Sequence, residues 1–379
     1  MLRSPTQGRL HLQWMLNGSS RFRTGVSLHS HTLHSLESLS FIYTAARKAS
    51  ILAKAIRRGE SRYRAIHGTE LDLSRGWWTP PLGAHDAWTV EKSQIQSLDL
   101  RPLVSLTDHD NIDAPVSLQV LDECRGTPIS LEWTVPFRAT FFHLGVHHLP
   151  QAHARRIFAE LDEFRSNPRE TRLAEILAEL SALPEVLVVF NHPLWDEKGI
   201  GESRHRTVVW EFLEKFSSQV HALEVNGLRP WRENHAVLGL AAEARKPLIS
   251  GGDRHALEPN ATLNLTNAES FGEFVSEIRA GWSDVLIMKH YREAFAWRIA
   301  HNMIDTLRTY EQHAKGWRLW SDRVFYRCED GTVRSLTQLF GDKPPLSVAA
   351  FVGALHFASE PKVRRFLRGA FPFAEEVQF

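Results

Sequence analysis

Short apolar runs recur along the chain, and most of them stop abruptly at a histidine, an acid or an asparagine. Runs of this length with turn or polar punctuation read as buried strands, and they predict strands at 102–107, 128–133, 139–146, 186–190, 221–225, 247–250 and 284–288. A further short run ends at His29. Between them lie stretches with apolar residues at helical spacing, at 38–58, 89–99, 151–165, 170–182, 207–219, 232–244 and 268–280. Strand and helix in regular alternation predict an α/β domain of mostly parallel βα units, with a strand count near that of a closed barrel. Residues 1–23 have no clear period and read as an irregular lead-in or an extra edge strand. Residues 59–88 read as a loop-like insertion. Past Lys289, the pattern predicts one long helix at 291–313 and a tail of helical and loop segments to 379, including Gly341–Pro345.

The polar punctuation is where the chemistry lies. Val26-Ser-Leu28 runs into His29-Ser-His31, and because side chains alternate along a strand both imidazoles leave it on one side. Leu103–Leu106 runs into Thr107-Asp-His-Asp110, Ile129–Leu131 into Glu132, and Phe141-Phe142 into His143. Val186–Phe190 runs into Asn191-His-Pro193, Ala222-Leu223 into Glu224, and Leu248–Ser250 into Gly251-Gly-Asp-Arg-His255. Carboxylates and imidazoles at successive strand ends converge on one mouth if the strands form a barrel, and such a donor set suits a polynuclear site for Mn, Zn or Fe.

Taken in order, His29-x-His31, Thr107-Asp-His-Asp110, the lone Glu132, His143 before Leu-Gly, Asn191-His-Pro193 and Asp253-x-His255 resemble the polymerase and histidinol phosphatase (PHP) superfamily of metal-dependent phosphoesterases. The resemblance spans roughly residues 24–290. It implies a distorted (β/α)7 TIM-like barrel, with the insertion after the first motif and a helical C-terminal extension from 291 to 379. It also implies two or three divalent metal ions. By position, His29, His31, Glu132 and Asp253 would form one metal site, and Glu132, His143 and His192 a second, with Glu132 as the bridge. A third site would use His109, His255 and one residue after the first motif, by spacing Glu37, with His34 the other candidate. His143 aligns only with a one-residue gap, which leaves His147 as the alternative ligand.

The remaining roles follow from residue chemistry. A metal-bound hydroxide would attack the phosphoester, with His109 or His255 protonating the leaving group. Arg254, Lys289 and Arg292 are candidates for the phosphate oxygens, since a guanidinium offers a bidentate fork. Asp108 is expected to orient His29 or His109, Asp110 to cap the next segment, and Glu224 with Asn226 to hold the loops or a ligand's second nitrogen. His147, His148, His205, His221 and His235 otherwise read as surface or packing histidines.

Composition narrows the partners. The formal net charge is +1 over 379 residues, so no global charge marks a nucleic-acid binder. Locally, Arg47, Lys48, Lys54, Arg57, Arg58, Arg62, Arg64 and Arg75 outnumber the acids around them, and with Trp77 and Trp78 they could cap the mouth or guide a strand. Lys362, Arg364, Arg365 and Arg368 form a second basic run. The PHP resemblance implies a small phosphorylated substrate as the partner, with single-stranded nucleic acid as the alternative, and a non-catalytic sensing module as the non-enzymatic rival. Two cysteines far apart, no apolar leader at the start and no run of ~20 apolar residues predict a cytoplasmic protein without membrane contact.

Overall fold

The computed structural model describes residues 9–15, 21–39, 42, 50–307, 319–341, 346–360, 362–363, 365–366 and 377. The first half of the 38–58 helix, Arg47, Lys48, Arg364, Arg368, the end of the 291–313 helix and most of Gly341–Pro345 lie outside them. The strands are β1 Arg9–Leu12, β2 Thr24–Ser27, β3 Glu37–Ser38, β4 Gly76–Trp78, β5 Arg101–Val104, β6 Ile129–Phe137, β7 Thr140–Leu149, β8 Leu187–Phe190, β9 Ala222–Asn226, β10 Leu248–Gly251, β11 Thr262–Thr266, β12 Asp284–Ile287, β13 Val324–Arg327 and β14 Val333–Ser335.

These form a mixed α/β protein with three sheets, ordered β1-β12-β11-β2-β5, β10-β9-β8-β7-β6 and β14-β13-β4-β3. The expectation of mostly parallel units is corrected. β6–β7, β7–β8, β11–β12 and β11–β2 pair antiparallel, and only the first of these pairs is joined by a tight turn. Between β6 and β7 the ladder closes at Phe137↔Thr140 across Arg138, whose φ of 53° makes the reversal without a glycine signal.

Among the described residues the strand ladders do not close into one barrel. The two five-stranded sheets meet at two seams of different kind. At the first, residues following β5 bridge to β6: Asp110 N donates to Glu132 O at 2.9 Å and Glu132 N to Asp108 O at 3.1 Å. At the second, side chains substitute for a ladder. Asn264 of β11 accepts from Ser250 N at 2.7 Å and donates to Ser250 O at 2.9 Å. Packed between and around these sheets is the core, with Leu131, Val135, Leu144, Val188, Phe190, Leu223 and Val225 fully enclosed. The helices Ala154–Ser166, Glu170–Ala182 and Glu202–Phe216 cover one side with apolar stripes such as Leu173, Ile176, Leu177 and Leu180.

Two further expectations change. The 59–88 stretch is not a loop: Ser50–His67 is helical straight through Gly59, and Ala84–Gln96 is a second helix. A mid-helix glycine costs only about 1 kcal/mol, and packing of Tyr63 against Tyr326, Leu339 and Phe340 outweighs it. Nor is the C-terminal part purely helical. Phe295–Thr306 and Leu346–Ser359 are helices, but β13 and β14 build the third sheet with β4 and β3. No helix among the described residues is long and apolar enough to cross a membrane.

Candidate metal centre

Backbone pairing just past the strands sets the frame. His31 N donates to Arg254 O at 2.8 Å and Arg254 N to His29 O at 3.3 Å, so the segment after β2 runs alongside the segment after β10. Thr107 N donates to Ser30 O at 2.9 Å and fastens the segment after β5 to the same edge. The acids and imidazoles expected at the strand ends are thereby brought to one place. Asp253 and His192 reach it with φ of 56° and 24°, a left-handed backbone seldom held by non-glycine residues and concentrated at functional sites.

At the centre stands Glu132, with a relative exposure of 0%. Its Oε2 lies 2.9 Å from His29 Nε2, 3.2 Å from His109 Nε2 and 3.5 Å from His31 Nε2. Its Oε1 lies 3.1 Å from His192 Nε2 and 3.6 Å from His143 Nδ1, and accepts from Asn191 Nδ2 at 2.9 Å. Asp253 Oδ1 stands 3.4 Å from His31 Nε2 and 3.8 Å from His29 Nε2. Donor atoms converge in the groups His29–His31–Glu132, His109–Glu132–His143, His31–Glu37–His109 and His31–Asp253–His255. Glu37, not His34, belongs here: its Oε2 is 3.3 Å from His109 Nε2 and 3.5 Å from His255 Nε2.

These separations distinguish a metal nest from a hydrogen-bond network. Ligand atoms ~2.1 Å from one tetrahedral ion sit roughly 3.4 Å from each other, which is the spacing of most pairs here and longer than a charge-assisted hydrogen bond of ~2.8 Å. His31 Nε2 is the clearest case, buried and without a hydrogen bond among the described residues although two carboxylate oxygens stand near it. The residues present therefore fit divalent ions.

The electrostatics agree. Burial alone would protonate Glu132, but the imidazoles of His109, His29 and His143 hold it well below the usual carboxylate range. Asp253 is likewise held low against its burial, by His29, His31, His255 and Arg229. Burial opposes charge on His109 as well, yet Glu132 and Glu37 raise it to about 9. His143 goes the other way: burial, with His109 and His192 beside it, pushes it well below 6.5. Protons and imidazolium charge thus stand where divalent cations would neutralise the carboxylates, so metal binding would release protons.

Around the donors, Glu224 Oε2 accepts from His29 Nδ1 at 2.8 Å, fixing the ring so that Nε2 faces Glu132. Gly251 makes room for it, since a Cβ there would lie 2.0 Å from Glu224 Oε2. Asp108 does not touch His29 or His109 through their rings. It accepts from Thr32 Oγ1 at 2.7 Å and from Thr32 N, tying down the turn after His31, and burial lifts its pKa to about 7. Asp110 pairs with Arg165 at 3.0 Å and accepts from Thr134 N. His147 stays out of the cluster, four residues down β7, with Nδ1 3.1 Å from Ser105 Oγ.

The three cations expected at phosphate are placed elsewhere. Arg254 turns away from the donors: its Nε meets Glu91 Oε1 at 2.7 Å and its other nitrogens reach Gln94 and Leu257 O. Lys289 is exposed, its amide nitrogen donating to Gln13, and Arg292 lies exposed over the Trp14 ring at 5.3 Å. A cation not singled out in the sequence takes the position instead. Arg229, in the loop after β9, stacks on Trp195 at 3.5 Å and brings Nη2 to 3.7 Å from Asp253 Oδ2. Its buried Nε has no hydrogen-bond partner among the described residues. Trp195 also packs edge-on against His192 at 5.1 Å, and Glu197 lies 4.0 Å from His143 Nε2. The available signal was position, since Arg229 and Trp195 follow strand ends that already carried Glu224 and His192.

Trp78 stacks on His255 at 5.5 Å, so the insertion does reach the cluster, whereas Arg57, Arg58, Arg62 and Arg64 face solvent on the Ser50–His67 helix.

No protein-family model matches the chain, and neither does any curated protein. Solved structures do resemble it, the following two among them. An amidohydrolase from Chromobacterium violaceum, solved with bound sulfate, aligns over 48% of this chain and 85% of its own at 15% identity and a TM-score of 0.33. A protein from Bifidobacterium adolescentis described as a metal-dependent phosphoesterase aligns over 52% of this chain and 92% of its own, also at 15% identity and a TM-score of 0.33.

Proposed function

We propose that the protein is a metal-dependent phosphoesterase of the PHP type, acting on a small phosphorylated substrate, and that its two five-stranded sheets are the halves of a distorted (β/α)7 barrel. The observation that carries this reading is Glu132, whose two carboxylate oxygens each face a separate set of imidazoles. Such a carboxylate is what a pair of ions ~3.5–4 Å apart requires as a bridge. His29, His31 and Asp253 would hold one ion with Glu132, His143 and His192 another, and Glu37, His109 and His255 a third. Divalent ions there would polarise the phosphoryl oxygens and raise the acidity of water near neutral pH.

The chain itself supplies position and protons. Arg229, flat on Trp195 and one contact away from Asp253, offers its Nε and Nη atoms to phosphoryl oxygens, the bidentate task for which a guanidinium is suited. His255, its Nδ1 fixed by the Asp253 carbonyl at 2.9 Å and its ring on Trp78, would return a proton to the leaving oxygen, with His109 as the deeper candidate. Glu224 keeps His29 in one tautomer throughout.

The test is elemental analysis of freshly purified protein, with the same sample assayed against nucleotides, sugar phosphates, an aryl phosphate and short single-stranded oligonucleotides. Two or three equivalents of Mn, Zn or Fe with hydrolysis of one class is the expected result. No bound metal after reconstitution would overturn the reading. Nucleic acid is the second reading, favoured by the exposed arginines of the Ser50–His67 helix, and a steep fall of turnover with salt would select it.

A further inference from the structure

The insertion and the C-terminal segment, far apart in sequence, pair into one sheet that ends at the metal centre. β13 is paired on both edges, with β14 and with β4. β4 in turn pairs with β3, in the register Glu37↔Trp78 and Trp78↔Val324. Glu37, whose carboxylate faces His109, His31 and His255, is thus the first residue of an edge strand held by residues 324–326.

Two further contacts run the same way. The Arg323 side chain is buried, donates from Nη1 to Thr79 O at 2.9 Å and from Nη2 to Thr306 O at 2.6 Å, and its carbonyl accepts from Thr79 N at 2.9 Å. That clamp sits directly after Trp78, whose ring lies against His255. Three residues on, the Leu82 carbonyl accepts from Leu33 N at 2.8 Å, bracing the turn between His31 and Glu37. Ser35 Oγ in the same turn donates to Glu37 Oε1 at 2.6 Å and accepts from His109 N at 2.9 Å.

We propose that the C-terminal segment around Arg323–Tyr326 is a positioning element of the metal centre, which seats Glu37 through β4 so that an ion held by Glu37, His109 and His255 reaches its full affinity only when this sheet is formed. The inference rests on the reading of Glu37 as a ligand. Glu37 belongs to a strand of only two residues, and within its own segment the side-chain contact that steadies its carboxylate is the one from Ser35 Oγ, so β4 is what fixes its backbone. The ligands of the other two positions sit on or directly after strands of the large sheets and need no such support.

The experiment uses the full chain, stripped of metal and titrated with Mn2+, with ions per chain, the affinity of each and the thermal midpoint of the metal-free protein as readouts. Arg323→Ala removes the clamp, and Phe325→Pro removes a donor from a strand paired on both edges. Each should weaken one ion by about ten- to a hundredfold, the usual effect of losing a group that orients a ligand, and leave the other ions unchanged. Glu37→Gln should produce the same loss, and Arg323→Ala combined with Glu37→Gln should add nothing to it, because both act through one carboxylate. If Phe325→Pro does not fold, Arg323→Ala decides alone.

The proposal is overturned if Arg323→Ala binds every ion at wild-type affinity, or if all ions weaken together in step with the thermal midpoint. It also fails if Glu37→Gln keeps every ion. That outcome removes Glu37 from the ligand set but leaves the bridge at Glu132, and with it the proposed function, standing.

Discussion

Two sets of histidines are withdrawn from water in this protein, and they are bound in opposite ways. His147, His205 and His221 each find an ordinary partner: Ser105 Oγ at 3.1 Å, Pro193 O at 3.0 Å, and Val188 N, which donates to His221 Nδ1 at 2.9 Å. His29, His31, His109, His143, His192 and His255 instead surround Glu132, Glu37 and Asp253, most of them at 3.1–3.6 Å. Burial lowers the first set, with His147 and His221 both at about 3, so they stay neutral. In the second set the carboxylates divide the rings, raising His29, His109 and His255 and leaving His31 at about 4. Burial alone is no sign of a metal ligand. Convergence on a shared carboxylate, at spacings too long for strong hydrogen bonds, is.

The sharpest way to break this contrast is Glu132→Ala. On the proposed reading it should abolish binding of the two ions that Glu132 would share and reduce turnover by about 10³-fold or more, while a circular dichroism spectrum stays native. A folded variant with full metal content would dissolve the distinction between the two sets.

Arg229→Lys comes next. The ammonium cannot reproduce the fork or the stacking on Trp195, so kcat/KM should fall about ten- to a hundredfold with metal content unchanged. Loss of metal together with activity would place Arg229 in support of Asp253 and not at the substrate.

Glu224→Gln tests the ring orientation of His29. Mn2+ affinity should drop by about tenfold or more, measured by titration of the stripped protein. An unaltered affinity would show that the strand end alone aims His29.

The smallest effect belongs to the other set. His221→Phe should leave every ion in place and cost about 1–3 kcal/mol, because the buried Val188 N–H loses its acceptor. Its pH signature is specific. A histidine whose folded pKa lies below its unfolded value near 6.5 costs stability as the medium is acidified, because the unfolded chain takes up the proton first. Denaturant midpoints should therefore fall from pH 6.5 toward pH 3, and less steeply in His221→Phe. An identical slope in the variant would assign the acid sensitivity elsewhere.

Much of this organisation is legible in the sequence. His29, His31, His109, Glu132, His143, His192, Asp253 and His255 all punctuate apolar runs, and the structure brings all of them to one cluster. The arginines read differently. Arg254 lies between two of these residues, yet the left-handed backbone at Asp253 splays its side chain outward to Glu91. Arg229 is marked only by its place after the strand end that carries Glu224, and the fold of its loop against Trp195 brings it to Asp253.

By itself the sequence determined which strands end in carboxylates and imidazoles, because the alternation of side chains along a strand is a local property of a few adjacent residues. That Glu37 and not His34 joined them, how the two sheets met, and what the distant C-terminal segment pairs with were decided only by tertiary structure. Those outcomes depend on pairings such as Glu37 with Trp78 and Trp78 with Val324, which join residues with no shared period and leave no trace in any one stretch of chain.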